Sequence, residues 1–275
     1  GSRTIRNAIE DIIDESDIKG VVVRIYSPGG SATASEVMWQ GLRRLAEVKP
    51  VWVSVGGMAA SGGYYTAVGG DKMYVNPSSI VGSIGVVGGK LTMDEAYDHL
   101  KLRIHTRSRG PKSDMFASDE AWTESELADV RSKMTETYEL FTSRVQQGRE
   151  GIDLSKTAEG RLFTGTQAIA LNMADAIGGL DDAVLDLATS MDMSRFEVVH
   201  YPAPKGLEEM FSDMFMGLSA PMTSSAMAGP FPMLAAAREI IGPHRWDAVA
   251  ASLEAAMQLR TSPVQLVMPR VILFR

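Results

Sequence analysis

Apolar residues along this chain switch between two spacings. Over residues 4–14 they recur at Ile5, Ala8, Ile9, Ile12 and Ile13, the interval of one helix face. Val21-Val22-Val23-Arg24-Ile25-Tyr26 is almost continuous and β-branched, which predicts a short strand buried on both faces. Ser27-Pro28-Gly29-Gly30-Ser31 then forms a turn. Residues 35–48 return to helical spacing through Val37, Met38, Leu42 and Leu45, and Val51-Trp52-Val53-Ser54-Val55 reads as a second buried strand. That strand runs into Gly56-Gly57-Met58-Ala59-Ala60-Ser61-Gly62-Gly63-Tyr64-Tyr65, where Ser61 stands at the start of a helix.

Downstream the pattern predicts a strand at 71–75, an apolar β-rich segment at 79–87 and a helix at 92–100. A half-exposed strand follows at 102–106, and then a polar loop at 107–116 with Gly110-Pro111 at its centre. The longest helix is expected over 123–147, with Leu127, Val130, Met134, Tyr138, Phe141 and Val145 on one face. A turn-rich loop at 160–165, helices at 166–172 and 181–191, and a last strand at 196–201 complete the unit. Strands alternating with helices imply parallel pairing and right-handed crossovers, with the turns after successive strands lying side by side. The two glycine-rich turns, at Gly29-Gly30 and around Ser61, are therefore expected to meet.

Beyond Pro202 the composition changes. Met210, Met214, Met216, Met222, Met227 and Met233 follow in quick succession, and residues 264–274 form an apolar tail. Such a tail docks on its own domain or on a neighbouring subunit rather than stay exposed. We expect two parts, a catalytic domain over 3–202 and a mostly helical Met/Ala-rich extension over 203–275 that serves docking or oligomerisation.

Composition narrows the chemistry. The 275 residues are 45% hydrophobic and 22% charged, an ordinary globular balance, and the net charge of −7 argues against a nucleic-acid surface. With no cysteine there is neither a thiolate nucleophile nor a thiolate metal site, and His99, His105, His200 and His244 lack metal-ligand spacing. No metal or cofactor is implied. Ser61 supports two readings at this point. A serine before a helix commonly caps it. A serine at a strand-to-helix turn, followed by a free N–H, can instead be a nucleophile beside half an oxyanion hole.

Three blocks, in order, carry a resemblance. They are Arg24 to Ser31 with Ala34-Ser35-Glu36, then Ala59 to Tyr65 through Asp71-Lys72 to Val81-Gly82-Ser83-Ile84-Gly85-Val86, and finally Phe163-Thr164-Gly165 with Ala174-Asp175-Ala176-Ile177-Gly178-Gly179-Leu180. Over about residues 5–190 the chain resembles the signal peptide peptidase A family, Ser–Lys peptidases of α/β Clp-protease/crotonase-like fold. The resemblance implies a repeated β-β-α superhelix of parallel sheets with flanking helices. It makes Ser61 the nucleophile, Lys112 the base and Ser83 an orienting hydroxyl. The N–H groups of Gly62 and of Gly29 or Gly30 become the oxyanion hole. A lysine base must be neutral, which its ordinary pKa near 10.4 forbids without burial.

The resemblance further implies apolar, signal-peptide-like substrates, a homo-oligomeric ring and the extracytoplasmic face of a bacterial inner membrane. Gly1-Ser2 reads as a cloning scar, so a first strand and a membrane anchor are expected upstream of Arg3. The alternatives are a catalytically silent assembly half of a two-repeat peptidase and a crotonase-type acyl-CoA enzyme.

Overall fold

The computed structural model describes residues 1–201 and 264–266. The elements in chain order are α1 (Ser2–Asp14), β1 (Val21–Ser27), β2 (Gly30–Ser31), α2 (Ala32–Ala46), β3 (Val51–Ala60) and α3 (Gly62–Ala67). There follow β4 (Lys72–Val75), β5 (Ile80–Gly82), β6 (Val87–Gly88), α4 (Asp94–His99), α5 (Glu124–Gly148), α6 (Leu154–Thr157), β7 (Leu162–Thr164), α7 (Gly165–Ala170), β8 (Ala176–Ile177), α8 (Leu180–Ser190) and β9 (Val264–Leu266). Gly1–Phe196 and β9 belong to one compact unit.

The architecture is α/β, and β3 is its axis. Its first half pairs in parallel with β1 and β4, and its second half with β5. The switch has a local cause. Between Ile25↔Val55 and Ser27↔Ala59, β3 uses four residues where β1 uses two, a bulge that bends the strand. Tyr26 lies over that bulge, and a side chain on Gly57 would come within 2.8 Å of its ring. β8 extends the sheet in parallel from β4, while β7 pairs antiparallel with β5. The parallel pairing predicted from strand–helix alternation holds in this sheet, with β7 as its antiparallel exception, while β9 pairs antiparallel with β2 and β6 in a second, three-stranded sheet.

Three readings of the pattern are corrected. β1 is not buried on both faces: only Ile25 is fully buried and Tyr26 is 77% exposed, because β1 pairs with β3 alone. Residues 102–106 form no strand and are exposed throughout, and 196–201 likewise form none. Both segments are irregular chain, and neither has a pairing partner among the described residues. The loop expected over 160–165 contains β7. The expected helical character of 203–275 lies outside the described residues, except that Val264–Leu266 is a strand.

The core is built on β3. Val53, Val55 and Ala59 are fully buried beside Tyr64, Tyr65, Phe141 and Val145. Phe141 reaches from α5 to the Tyr65 ring, with centroids 4.7 Å apart. A polar clamp runs alongside. Arg144 of α5 donates to both carboxylate oxygens of Glu36 on α2, at 2.7 and 3.3 Å, and its guanidinium sits 4.2 Å from the centre of the Trp39 ring. Tyr65 Oη donates to the same carboxylate at 2.5 Å and Gln40 at 2.8 Å. Burial works against the carboxylate, but the bonds from Arg144, Tyr65 and Gln40 outweigh it and hold Glu36 below its ordinary value of 4.5. Burial and the bond to Glu36 push the Tyr65 phenol up. One carboxylate thus ties α2, α3 and α5 together.

Two outcomes are expected. Phe141→Ala should cost about 3–5 kcal/mol, read as a lower urea midpoint at unchanged slope; a loss under about 1 kcal/mol would mean that α5 does not carry α3. Because the folded-state pKa of Glu36 is depressed, its contribution is present above the unfolded value and is lost as pH falls through the folded one. The stability gap between wild type and Glu36→Gln should therefore be full near about pH 6 and close towards about pH 3. A gap that does not change with pH would show that the clamp does not depend on the charge.

Candidate active site

Strand β3 ends at Ala60, and Ser61 takes φ 53° and ψ −120° before α3 begins at Gly62. A non-glycine residue in this region costs of the order of 1–3 kcal/mol and persists only where its surroundings enforce it. The enforcement is visible. Ser61 N donates to Gly82 O at 2.8 Å, Tyr65 N donates back to Ser61 O at 2.8 Å, and the whole of α3 is buried. Ser61 occupies the helix-cap position, yet its hydroxyl makes no cap bond. The Oγ is buried and has no hydrogen-bond partner. The capping role is thus left unfilled.

Ser83 repeats the arrangement one strand away. β5 runs parallel to the end of β3, with Ala60 opposite Gly82. Ser83 follows at φ 50°, fully buried, its N–H donated to Arg161 O at 2.7 Å and its Oγ also without a partner. Two neighbouring strand ends therefore carry two buried, unpaired hydroxyls. Each unsatisfied group costs about 1–3 kcal/mol, so the pair marks a place set up to receive a further polar group.

The glycine turns meet as the alternation of strands and helices predicts. A Cβ on Gly62 would fall 2.4 Å from Ser35 Oγ, 3.3 Å from Gly30 N and 3.5 Å from Gly29 Cα, so any other residue there would displace Ser35 Oγ and press on the Gly29-Gly30 turn. Gly29 holds φ 114°, which glycine alone adopts readily, and its N–H is donated to Ser27 Oγ at 3.2 Å. As the first residue of α3, Gly62 has no intrahelical acceptor for its own N–H. Beyond Ser83, a cavity of about 340 Å³ is lined by Gly85, Val86, Val87, Met134, Tyr138 and Gly160, with Thr135 and Glu159 as its polar members.

The expected base is elsewhere. Lys112 sits in the loop before α5, its side chain 40% exposed and its Nζ paired with Asp129 of α5. No hydrogen bond joins it to Ser61 or Ser83. The structure thus brings Ser61, Gly62, Gly29, Gly30 and Ser83 together and leaves Lys112 apart. Reading the sequence alone missed Ser35, which is buried, donates to Ser31 O at 3.0 Å and packs on Gly62. It also missed the Glu36–Tyr65–Arg144 clamp. Arg144 was discoverable as a charge lodged between the buried positions Phe141 and Val145 of α5.

The model of peptidase family S49 matches residues 43–194. The chain is similar to the chloroplastic serine protease SPPA of Arabidopsis thaliana, 34% identical over 64% of this chain and 26% of that protein. It is similar to Protease 4 of Salmonella typhi, 30% identical over 87% of this chain and 40% of the relative, and to Protease 4 of Haemophilus influenzae, 31% identical over 67% and 30%. The chain thus spans well under half the length of these relatives. With more than half of its residues matched by the family model, and an unpaired buried serine at the end of its central strand, the chain belongs to peptidase family S49.

Proposed function

We propose that this chain is a serine endopeptidase with Ser61 as its nucleophile. One observation carries the reading: Ser61 is held at φ 53° with a buried, unpartnered Oγ directly before Gly62, which packs against the Gly29-Gly30 turn. Ser61 Oγ attacks the scissile carbonyl carbon, and its proton passes to a neutral amine. The N–H groups of Gly62 and Gly30 hold the oxyanion. Gly30 is preferred over Gly29, whose N–H is already given to Ser27. The C–N bond breaks as the amine returns the proton to the leaving group, and water then hydrolyses the acyl-enzyme.

Lys112 is the proposed base, and Ser83 orients it. An ammonium held in an ion pair cannot accept a proton, so this role requires Lys112 to leave Asp129 and meet the two free hydroxyls. It would do so within its own subunit or across a subunit boundary of a homo-oligomeric ring. Val86, Val87, Met134 and Tyr138 in the cavity beyond Ser83 support apolar, signal-peptide-like substrates, with Thr135 and Glu159 at its polar side. We further infer that the α/β unit continues the Clp-protease/crotonase-like superhelix and works at the bacterial cell envelope. No helix among the described residues is long and apolar enough to cross a membrane. The Lys112–Asp129 pair is also the observation that favours the second reading, a catalytically silent assembly half.

A fluorophosphonate should label wild type at Ser61, not label Ser61→Ala, and label Lys112→Ala at least about 100-fold more slowly, the range of a lost general base. Wild type that stays unlabelled favours the silent half, and undiminished labelling of Lys112→Ala removes Lys112 from the mechanism. Gly62→Ala should lower kcat for peptide hydrolysis by about 100-fold or more, because a Cβ there overlaps Ser35 Oγ and presses on Gly30 N, shifting the two donors apart. Activity within a few-fold of wild type would rule out this pair of donors.

A further inference from the structure

The first turns of α2 and α3 meet beside Ser61, and one hydroxyl stands between them. Ser35 lies on α2, 3% exposed, and its Oγ donates to Ser31 O at 3.0 Å. Ser31 in turn caps α2 by accepting from Ala34 N at 3.3 Å, so it is tied to the helix through both its side chain and its carbonyl. On the other side Ser35 Oγ is the nearest atom to a Cβ placed on Gly62, at 2.4 Å against 3.3 Å for Gly30 N. The chain before α2 presses on α3 at a second point, since a Cβ on Gly63 would fall 2.7 Å from Ser27 O. The next residue, Glu36, accepts from Tyr65, and Thr66 Oγ1 donates to Gly62 O at 2.9 Å. Glu36 and Thr66 thus hold α3 itself, while Ser35 meets the residue that follows the nucleophile.

We propose that Ser35 is a positioning residue of the oxyanion hole: its buried hydroxyl is the spacer that sets the gap between the Gly30 and Gly62 N–H groups. The proposal rests on the reading of Ser61 as nucleophile with those two groups as donors. Two donors serve one oxyanion only when both lie about 2.7–3.1 Å from the place where its charge develops. Here they belong to different elements, Gly30 to β2 and Gly62 to α3, so no single stretch of backbone fixes their separation. Neither glycine carries a side chain that would keep the other at a set distance. Ser35 does both parts of that task. Its bond to Ser31 O anchors the turn to α2, and its oxygen fills the space a Gly62 side chain would take. Protein interiors are close-packed, so removing one oxygen lets the turn and α3 shift relative to each other. A misplacement on the order of 1 Å costs about 100-fold in rate. A hydroxyl suits the position better than a methyl group, because giving its proton to Ser31 O fixes its direction.

The test compares wild type with Ser35→Ala, Ser35→Thr, Gly62→Ala and the Ser35→Ala/Gly62→Ala pair, all in the full chain. The substrates are a peptide ester and the same ester with sulfur in place of its carbonyl oxygen, a poor acceptor for the two N–H groups. Ser35→Ala should lower kcat on the oxygen ester by about tenfold at unchanged KM, and lower the oxygen-to-sulfur rate ratio by a similar factor. A merely structural loss slows both esters equally and leaves that ratio unchanged, which overturns the proposal. Ser35→Thr keeps the hydroxyl and its acceptor, and should restore the wild-type ratio. The double variant tests the spacer independently of threonine. With the oxygen gone, a Cβ on Gly62 enters the space left behind, so Gly62→Ala should add less than about fivefold to Ser35→Ala, against about 100-fold in wild type. Losses that simply multiply overturn the proposal. Wild type that neither hydrolyses the ester nor takes up fluorophosphonate at Ser61 rejects the nucleophile, and the hole with it. A labelled, active wild type whose ratio is unchanged in Ser35→Ala rejects Ser35 alone.

Discussion

The contact on which the rest depends is that between Gly62 and the Gly29-Gly30 turn. It brings the end of the central strand within van der Waals distance of the turn after its neighbour, and Ser35 Oγ closes the remaining space against a methyl group. The surrounding structure serves that approach. The bulge opposite Tyr26 bends β3 so that its last residues leave β4 and pair with β5. The pairing fixes Ser61 through Gly82 O, and the buried helix behind it leaves Ser61 in its unfavourable backbone conformation. Strain of this kind has to be offset by packing elsewhere. Here the offset comes from Tyr64, Tyr65 and Phe141, three fully enclosed rings within one core.

Why α3 needs so much support follows from its size. Six residues cannot form a stable helix alone. Its orientation must come from tertiary contacts, and Glu36 supplies them from the polar side as Phe141 does from the apolar side. Arg144 joins the two, since it comes from the same helix as Phe141 and binds the same carboxylate as Tyr65. A shift of α5 would therefore be felt at Ser61 by two routes.

Helices α1, α2 and α5 were legible because each is amphipathic over many turns, and their limits came out within a few residues. The meeting of the two glycine turns was legible too, because parallel strands place their following turns on one edge. Composition misled where the partner decides the outcome. Val21 to Tyr26 has the residues of a central strand but pairs with β3 alone, and 102–106 alternates without pairing. β7, three residues long, is strand because β5 lies beside it, and nothing in Leu162-Phe163-Thr164 says so. The partners of Ser61 were least legible. A loop lysine carries no local mark of whether it will face a carboxylate or a serine, and Lys112 found Asp129, 17 positions on.

That outcome bears on how the site would be regulated. Two buried hydroxyls without partners form an incomplete polar site, and the cation proposed to complete it rests in an exposed ion pair. Exposed pairs contribute at most about 1 kcal/mol, so the contact with Asp129 is a weak restraint. Two unsatisfied hydroxyls cost more than that, which favours moving the lysine once burial of its charge can be avoided. A neutral amine meets that condition; an ammonium does not.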